Sequence, residues 1–335
     1  MKKIAIVVLN WNGATLLERF LPSVIENSTS DAQVYVADNG STDSSVSFLK
    51  NTFPEVKIIT LKENYGFAGG YNKALKQVHE PLLCLLNSDV APAKHWLTPI
   101  FKAFELDKNL AIAQPKILDE LNKASFEYAG AAGGYLDAFG YPFCRGRIFQ
   151  SIELDEGQFN DEKEIFWATG ACMFIRNEIF QNLEGFDEDY FAHQEEVDLC
   201  WRAKNKDYKI LYIGKSEVFH LGGSTLSNMN PTKTFLNFRN SLFSLLKNLP
   251  LKKSILLITG RLILDGVAGL RFIFQGKPMH CLAIIHAHFS FYKLAKNIYK
   301  KNISSPKPFK YYLITSVVWS HYMRGIKYFS QLVKN

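Results

Sequence analysis

Short apolar runs alternate with helical patterns through the first hundred residues of the chain. Residues 3–9 and 33–37 are apolar and rich in β-branched side chains, which predicts strands, and residues 14–24 between them carry apolar side chains at helical spacing. Further strand patterns follow at residues 56–60 and 82–86. Alternating strands and helices are typical of a parallel sheet covered by helices. We therefore predict an α/β fold whose mixed, mostly parallel sheet has helices on both faces.

The strand predicted at residues 82–86 ends in a polar turn. Its five apolar residues lead directly into Asn87, Ser88 and Asp89. The carboxyl ends of parallel strands meet at the edge where open α/β sheets bind ligands. A carboxylate at that edge is well placed to hold a hard divalent cation beside a phosphate. The structural alternative is a turn in which Asp89 caps the next helix.

The chain changes its pattern twice after the first hundred residues. Residues 119–165 are rich in glycine and turn formers, and residues 166–176 predict one more buried strand. A helix is predicted to begin near residue 193, with acids in its first turn and bases in its last. From about residue 246 onward, long apolar helical patterns dominate.

These changes suggest two parts. We predict a first domain at residues 1–245, in which the pattern changes at about residue 118. Residues 246–335 are predicted to form a basic, amphipathic helical region that associates with a membrane.

The C-terminal region contains apolar stretches interrupted by charges. These stretches lie at residues 254–274, 283–299 and 311–329. The first contains Arg261, Asp265 and Arg271, and each charge near a bilayer centre costs about 2.5–3.5 kcal/mol. Because the three lie on one arc of the helix, they leave a wide apolar face. Helices lying in the membrane interface are predicted rather than spanning helices, and packing on the first domain is the alternative.

Charge is unevenly divided along the chain. Its net charge is +7, but residues from 201 onward hold 22 basic and three acidic side chains. A basic, aromatic-rich end predicts an anionic partner such as membrane headgroups, a lipid diphosphate or nucleic acid. Nucleic acid is disfavoured because this end is too apolar for a solvated arm. The five cysteines have no paired spacing, which argues against disulfides or a zinc site and for a reducing compartment.

Two common nucleotide-binding fingerprints are missing. A GxGxxG sequence should follow the first strand of a dinucleotide-binding fold, but only Gly13 stands there. No P-loop spacing occurs either. The first apolar run stops after residue 9, so we interpret it as a strand rather than a signal peptide.

Seven segments occur in an order that is more specific than any one of them. They are VVLNWNG (7–13), DNGSTD (38–43), ENYGFAGGYN (63–72), LLNSD (85–89), a TGA turn, EEVDLCWR (195–202) and a later strand end with a histidine. Together, over about residues 3–245, they resemble glycosyltransferase family 2, especially bacterial enzymes of the rhamnosyltransferase type. The resemblance implies the Rossmann-like GT-A fold, a nucleoside-diphosphate sugar as donor, and inversion at the anomeric carbon. It makes residues 1–245 a catalytic domain, with a nucleotide-sugar half at about 1–118 and an acceptor half at about 119–245.

The resemblance places the donor at the ends of the first strands. Asp38 would accept a hydrogen bond from the N3–H of uracil or thymine, a role compatible with an Asx turn. The residues implied to contact the nucleotide sugar are Asn10, Trp11, Asp38, Asn64, Gly66, Phe67, Asn87, Ser88 and Arg202. For Arg202, an i,i+4 ion pair with Asp198 is the alternative.

The resemblance also implies a metal site and a catalytic base. Asp89 matches the last position of the family's DxD motif, whose first Asp is replaced by Asn87. With His220 as a second ligand, the site suits Mn²⁺ and tolerates Mg²⁺. Glu196 would be the base, and Glu195 would orient it or contact the acceptor. The residues implied to line the acceptor side are Trp167, Gly170 and Ala171.

These features predict a metal-dependent inverting glycosyltransferase of cell-surface polysaccharide synthesis. The predicted donor is dTDP-rhamnose or another pyrimidine-diphosphate sugar, and the acceptor a saccharide or lipid-linked saccharide at the cytoplasmic face of the membrane. A GT-A-like nucleotidyltransferase would need a glycine- and lysine-rich triphosphate loop, which residues 10–13 are not. A non-catalytic sugar-nucleotide-binding or scaffold protein is the other alternative, suggested by Asn87 and by Glu196 in place of the usual Asp.

Overall fold

The computed structural model describes residues 2–28, 30–222, 230–305 and 309–333. The strands are β1 (Ile4–Asn10), β2 (Ala32–Asp38), β3 (Lys57–Thr60), β4 (Leu82–Asn87), β5 (Val90–Pro92), β6 (Leu110–Asp119), β7 (Gly134–Leu136), β8 (Pro142–Cys144), β9 (Arg147–Ile148), β10 (Ser151–Ile152), β11 (Glu162–Glu164), β12 (Cys172–Arg176) and β13 (Lys209–His220). The helices are α1 (Ala14–Ser28), α2 (Ser45–Thr52), α3 (Gly66–Ala74), α4 (Leu97–Leu106), α5 (Asn177–Asn182), α6 (Glu195–Asn205), α7 (Pro231–Asn248), α8 (Leu251–Phe274), α9 (Pro278–Lys300), α10 (Val317–Tyr322) and α11 (Phe329–Val333).

The large sheet has nine strands in the described part of the chain. Its order is β11-β13-β6-β12-β4-β1-β2-β3, with β5 paired to β13. Strands β3, β2, β1, β4, β6 and β13 share one direction, whereas β12, β11 and β5 run against it. The predicted mixed, mostly parallel sheet is confirmed. The strand predicted at residues 166–176 is correct only from Cys172, because the preceding residues turn around Thr169 and Gly170.

Two hydrophobic cores lie on opposite faces of this sheet. Alternate side chains of β1 point to opposite faces, so Ile4 and Ile6 enter one core and Ala5 and Val7 the other. The first core includes residues of α1, α2 and α4, and the second includes residues of α3, α5, α6 and α7. The prediction of helices on both faces is confirmed.

The stretch predicted to be loop-rich, residues 119–165, contains a second sheet. Strands β7 to β10 pair with antiparallel neighbours in the order β10-β9-β8-β7. Each has only two or three residues. Strands this short carry no readable alternation of polar and apolar positions, which is why the prediction missed them.

The C-terminal helices pack on the catalytic domain. Helix α7 runs through the predicted boundary at residue 245, and Phe291 and Ile298 of α9 belong to the same core as Ala5. The helical pattern predicted for residues 311–329 is wrong over most of its length, because only α10 is helical there. None of the helices in the described ranges is both long enough and apolar enough to cross a membrane.

Helix α8 turns its polar side toward the protein and its apolar side outward. Arg261 and Asp265 are buried, and the Asp265 carboxylate contacts Arg261 Nε at 3.0 Å, Tyr141 Oη at 2.5 Å and His288 Nε2 at 3.0 Å. The outer face of the α8–α9 hairpin consists of exposed Ile255, Leu256, Leu262, Ile263, Val267, Leu270, Ile273 and Phe274 of α8 and Met279, Leu282, Ile285, Phe289 and Tyr292 of α9. The amphipathic pattern was predicted, and the structure adds which side faces out.

Candidate active site

The loops after β1 and β2 are bonded to each other at the carboxyl edge of the sheet. The parallel register places Asn10 beside Asp38, and Asn10 Nδ2 donates to Asp38 Oδ1 at 3.1 Å. The backbone N–H of Ser41 donates to Asp38 Oδ2 at 3.1 Å, one residue further along than in the Asx turn considered there. Both Asn10 and Asp38 are buried, whereas Trp11 is 54% exposed. The structure thus brings these three predicted donor-site residues to one edge.

Asn39 forms hydrogen bonds with the third loop of this edge, residues 64–66. Sequence interpretation did not select Asn39. Its Nδ2 donates at 3.0 Å both to Asn64 Oδ1 and to the carbonyl oxygen of Gly66, and its Oδ1 accepts from the N–H of Tyr65. A Cβ at Gly70 would lie 3.0 Å from Asn39 Nδ2, so a side chain there would press on this amide. The only sequence signal was its position next to Asp38.

Phe67 connects the donor loop to the predicted acceptor turn. Its ring packs against Tyr71, and a Cβ at Gly170 would lie 2.9 Å from Phe67 Cζ. The carbonyl oxygen of the next residue, Ala171, accepts a hydrogen bond from the N–H of Asn87 at 3.0 Å. Phe67, Asn87, Gly170 and Ala171 therefore lie together, with half-buried Ser88 following Asn87.

Asp89 and His220 meet at this edge, with a third residue behind them. His220 Nε2 lies 3.1 Å from Asp89 Oδ1, and Nδ1 lies 3.1 Å from Oε2 of Glu127. All three residues are buried. Burial lowers the pKa of His220, but the contacts with Asp89 and Glu127 outweigh it and raise the pKa to about 10. Asp89 and Glu127 thus stabilise a positive charge on the His220 imidazole, at the position predicted for a cation.

The donor set here fits a divalent cation that has few protein ligands. Asp89 and His220 offer a carboxylate oxygen and an imidazole nitrogen, and Asn87 Nδ2 lies 3.5 Å from His220 Nε2. Among the residues that the structure describes, no three His, Cys, Asp or Glu side chains surround a common point. Mg²⁺ and similar cations commonly take one or two protein ligands and complete their coordination with phosphates and water.

The predicted catalytic pair begins α6 after an unusual backbone. Phe191, His193 and Gln194 have φ angles of 64°, 66° and 73°. Such conformations are costly for residues other than glycine and are often found at functional sites. They place Glu195 and Glu196 in the first turn, where the Oε2 atom of each has no hydrogen-bond partner among the described residues.

Burial raises the pKa values of both carboxyl groups. The pKa of Glu196 is raised to about 7 by burial, against the backbone hydrogen bonds that lower it. Burial and the charge of Glu196 raise the pKa of Glu195 well above its usual value. A carboxylate with a pKa near 7 suits a general base at neutral pH.

The side chains of two predicted site residues, Arg202 and Trp167, bond within the fold. Arg202 Nε donates to Asp198 Oδ2 at 2.7 Å, and its other two nitrogens donate to the carbonyl oxygens of Leu183 and Gly185. The ion-pair alternative is therefore the arrangement in the structure, and Arg202 is removed from the donor site. Trp167 is buried and donates from Nε1 to a carbonyl oxygen at 3.0 Å, so it supports the acceptor side without lining it.

Four titratable side chains that sequence interpretation did not select lie near the predicted site. They are Glu127, Arg147, His193 and Lys233. Burial and the charge of Lys233 lower the pKa of His193 to about 4, so its imidazole is neutral. Glu127 lies on a loop, Arg147 on a two-residue strand, His193 just before α6 and Lys233 in the first turn of α7, where periodicity gives little signal.

Comparisons with known proteins identify the family of the chain. The family model for Glycosyl transferase family 2 matches residues 5–184, more than half of the chain. The N-acetylglucosaminyl-diphospho-decaprenol L-rhamnosyltransferase of Mycobacterium tuberculosis (strain ATCC 25618 / H37Rv) is 24% identical over 229 residues, covering 64% of this chain and 75% of the relative.

Two solved structures share the fold. The mannosyltransferase PcManGT of Pyrobaculum calidifontis, in complex with GDP-Man and Mn²⁺, aligns with a TM-score of 0.54 at 13% identity, over 87% of each chain. GalNAc-T7 with UDP, GalNAc and Mn²⁺ aligns with a TM-score of 0.57 at 15% identity, over 74% of this chain and 48% of its own. The predicted GT-A fold is confirmed, and the chain belongs to glycosyltransferase family 2.

Proposed function

We propose that the protein is an inverting glycosyltransferase of cell-surface polysaccharide synthesis. Its donor is a dTDP- or UDP-sugar, with rhamnose as the first choice, and its acceptor is a saccharide or lipid-linked saccharide. The observation that carries the proposal is Glu196, a half-buried side chain whose buried Oε2 atom has no partner among the described residues and whose pKa is raised to about 7. The rhamnosyl donor and lipid-linked acceptor follow the name of the Mycobacterium tuberculosis relative.

The proposed reaction needs one base and no protein nucleophile. An acceptor hydroxyl oxygen attacks the anomeric carbon, the bond to the nucleoside diphosphate breaks, and the hydroxyl proton passes to Glu196. Mn²⁺ or Mg²⁺ held by Asp89 and His220 would neutralise charge on the departing diphosphate. Glu127 fixes the ring of His220 so that Nε2 faces Asp89.

Nucleotide-induced stabilisation tests the donor site. Melting temperatures are measured with Mn²⁺ plus UDP, dTDP, GDP, CDP or ADP for the wild type, Asp38→Ala and Asp89→Ala. Asp31→Ala, an exposed change at the other end of β2, is the control. We expect stabilisation only by uridine or thymidine diphosphate, abolished by the two site variants and retained by the control. Equal stabilisation by every nucleotide, unaltered by the variants, contradicts the site.

Product analysis separates the alternatives. Incubation with dTDP-rhamnose and acceptor should release dTDP and yield a glycoside of inverted anomeric configuration, read by NMR. A scaffold protein would bind the nucleotide and release none. A nucleotidyltransferase would instead release diphosphate from a nucleoside triphosphate and sugar phosphate.

We also propose that the outer face of the α8–α9 hairpin lies in the interface of an anionic membrane. A continuous exposed apolar face marks an interaction surface, and on this hairpin it is large. The helices are antiparallel, since Asp265 contacts His288 and a Cβ at Gly269 would lie 3.2 Å from Cys281 Sγ. The exposed lysines 252, 253, 293, 296 and 300 therefore gather at one end of the hairpin.

Lysines beside an apolar face complement the anionic headgroups of a cytoplasmic leaflet. All five cysteines are free, which suits the reducing cytoplasm. The proposed location is therefore peripheral, on the inner face of the cell membrane.

Vesicle co-sedimentation tests this surface. The triple variant Ile263→Ser, Phe274→Ser, Phe289→Ser is compared with Leu106→Ser, Leu121→Ser, whose leucines are each 76% exposed on the catalytic domain. Burying one such side chain is worth about 1.5–3 kcal/mol, so the triple variant should bind phosphatidylglycerol vesicles at least tenfold more weakly. The control should bind like the wild type. Unchanged vesicle binding, or a wild-type dimer that the triple variant dissociates, contradicts the proposal.

A further inference from the structure

Arg147 is a buried cation without an ion pair among the described residues. It lies on β9 and is 9% exposed. Nη1 donates to the carbonyl oxygen of Phe149 at 3.3 Å and Nη2 contacts Cys144 Sγ at 3.4 Å, whereas Nε has no partner in the described ranges. The other arginines that are at least nine-tenths buried, Arg145, Arg202 and Arg261, each have an aspartate within 3.0 Å.

A second cation shares the same aromatic ring. The Arg147 guanidinium lies 4.4 Å from the ring centroid of Tyr128, and the Lys233 ammonium lies 6.0 Å from it. Burial and the charge of Arg147 lower the pKa of Lys233, while Glu127 opposes them. The charge of Arg147 thus disfavours the charged form of Lys233, and an anion that contacts both side chains would relieve this repulsion.

These cations lie close to the reacting groups. Tyr128 follows Glu127, which contacts His220. Burial and the charges of Glu127 and Glu196 raise the pKa of the Cys144 thiol, and Arg147, whose Nη2 lies 3.4 Å from Cys144 Sγ, lowers it, so both glutamates act on the side chain that Arg147 contacts. Arg147 belongs to the second sheet and Lys233 to the first turn of α7.

We propose that Arg147 and Lys233 bind a phosphate group of the acceptor. A guanidinium and an ammonium both form charge-assisted hydrogen bonds with phosphate oxygens. The donor diphosphate is proposed to bind at Asp89 and His220, and Arg147 lies on the second sheet, away from the strand ends that hold those two residues. This phosphate site rests on the proposed function, because its ligand is the acceptor of the proposed sugar transfer. The acceptor class is a saccharide carried on a diphosphate.

Paired acceptors test the site. A short-chain N-acetylglucosaminyl diphosphate prenol is compared with the matching alkyl N-acetylglucosaminide, which lacks phosphate. Their dissociation constants are measured calorimetrically on the full chain with Mn²⁺ and dTDP present, for the wild type, Arg147→Met and Lys233→Gln. Arg145→Met is the control, because Arg145 lies in the same sheet but pairs with Asp161 at 2.7 Å.

We expect the wild type to prefer the diphosphate acceptor at least tenfold, and both variants to lose that preference. The affinity for dTDP should stay within twofold, and the control should keep the preference. Lys233 is only half-buried, so its variant remains informative if Arg147→Met fails to fold. Equal binding of the two acceptors by the wild type overturns the site. Weakened dTDP binding with an unchanged acceptor preference also overturns it, because the phosphate then belongs to the donor. Acceptor binding that follows the expected pattern without sugar transfer supports the site and refutes the proposed function.

Discussion

Two of the buried clusters of charged side chains in this protein differ in how their charged groups are satisfied. Around Asp265, the carboxylate contacts Arg261, His288 and Tyr141, and Arg261 also donates to Ser241 Oγ at 2.9 Å, so that His288 Nδ1 is the atom of these side chains without a partner among the described residues. Around Glu196, oxygens of both glutamates, Arg147 Nε and His193 Nε2 have no partner in the described part of the chain.

The difference is what we expect if the cluster around Asp265 serves folding and the cluster around Glu196 binds a ligand. Burying a charge is costly unless it is paired and hydrogen-bonded, so a paired cluster can hold α8 against the domain. Unpaired buried groups destabilise the fold and are common where a substrate supplies the missing partner. The backbone strain at Phe191, His193 and Gln194 stands beside the second cluster.

Glu196→Gln should produce the largest effect, on catalysis. The amide cannot accept the acceptor's proton, so we expect kcat to fall by about 10²–10⁴-fold, the usual contribution of a general base. Initial rates of sugar transfer at saturating donor measure this. The dissociation constant for dTDP should not change. A kcat within threefold of the wild type would remove Glu196 from the role of base.

Asp265→Asn should produce the largest loss of stability. Breaking a buried pair leaves Arg261 uncompensated, which typically costs about 3–5 kcal/mol. Urea unfolding monitored by circular dichroism measures the change. The matched control is Asp107→Asn, which breaks a pair with Lys209 at the surface and should have little effect. A small loss for Asp265→Asn would mean that the paired cluster does not hold α8 in place.

Glu127→Gln should weaken metal binding without removing a proposed ligand. Residues that orient a metal-binding histidine typically contribute about 10–100-fold to affinity, so we expect a loss of that size for Mn²⁺. Electron paramagnetic resonance of free Mn²⁺ measures it without any turnover. Asp119→Asn, at the residue paired with His220 across the sheet, is the control. Equal Mn²⁺ affinity in all three proteins would refute the role of Glu127.

The rate of transfer should fall on the acidic side of about pH 7. Because the pKa of Glu196 is raised to about 7, its carboxylate is progressively protonated below that pH, and the rate should drop about tenfold per unit. Glu195 and Glu196 interact, so the acidic limb of the pH–rate profile reports the titration of the two carboxyl groups together. The pH dependence of kcat for the wild type and for Glu195→Gln measures it. A profile flat between pH 5 and 8 would contradict a base with this pKa.

The sequence predicted which residues meet at the carboxyl edge of the sheet because strand ends determine their position. Asn10, Asp38 and Asp89 follow apolar runs, and a parallel sheet brings such ends together. Family resemblance added His220 and Glu196. Arg202 was misassigned because an i,i+4 partner and a diphosphate ligand give the same residue pattern.

The remaining groups could not be predicted because no periodic pattern surrounds them. Arg147 lies on a two-residue strand, and Glu127 meets His220 only through the long β6–β13 pairing. The sequence of α8 predicted an amphipathic helix but not its orientation. Arg261 and Asp265 can neutralise each other, so the polar side was able to pack inward.

The free energy of unfolding of Glu196→Gln, measured from pH 4.5 to 8, tests the contrast between the two clusters most directly. A carboxyl whose pKa is raised to about 7 in the fold binds more protons folded than unfolded, so wild-type stability should fall as pH rises from about 4.5 to 7. The glutamine variant lacks this loss, so we predict that it becomes more stable than the wild type by about 1–3 kcal/mol at pH 8 while losing its activity. A variant that is less stable than the wild type at pH 8 would contradict the account, because Glu196 would then be a paired structural group like Asp265.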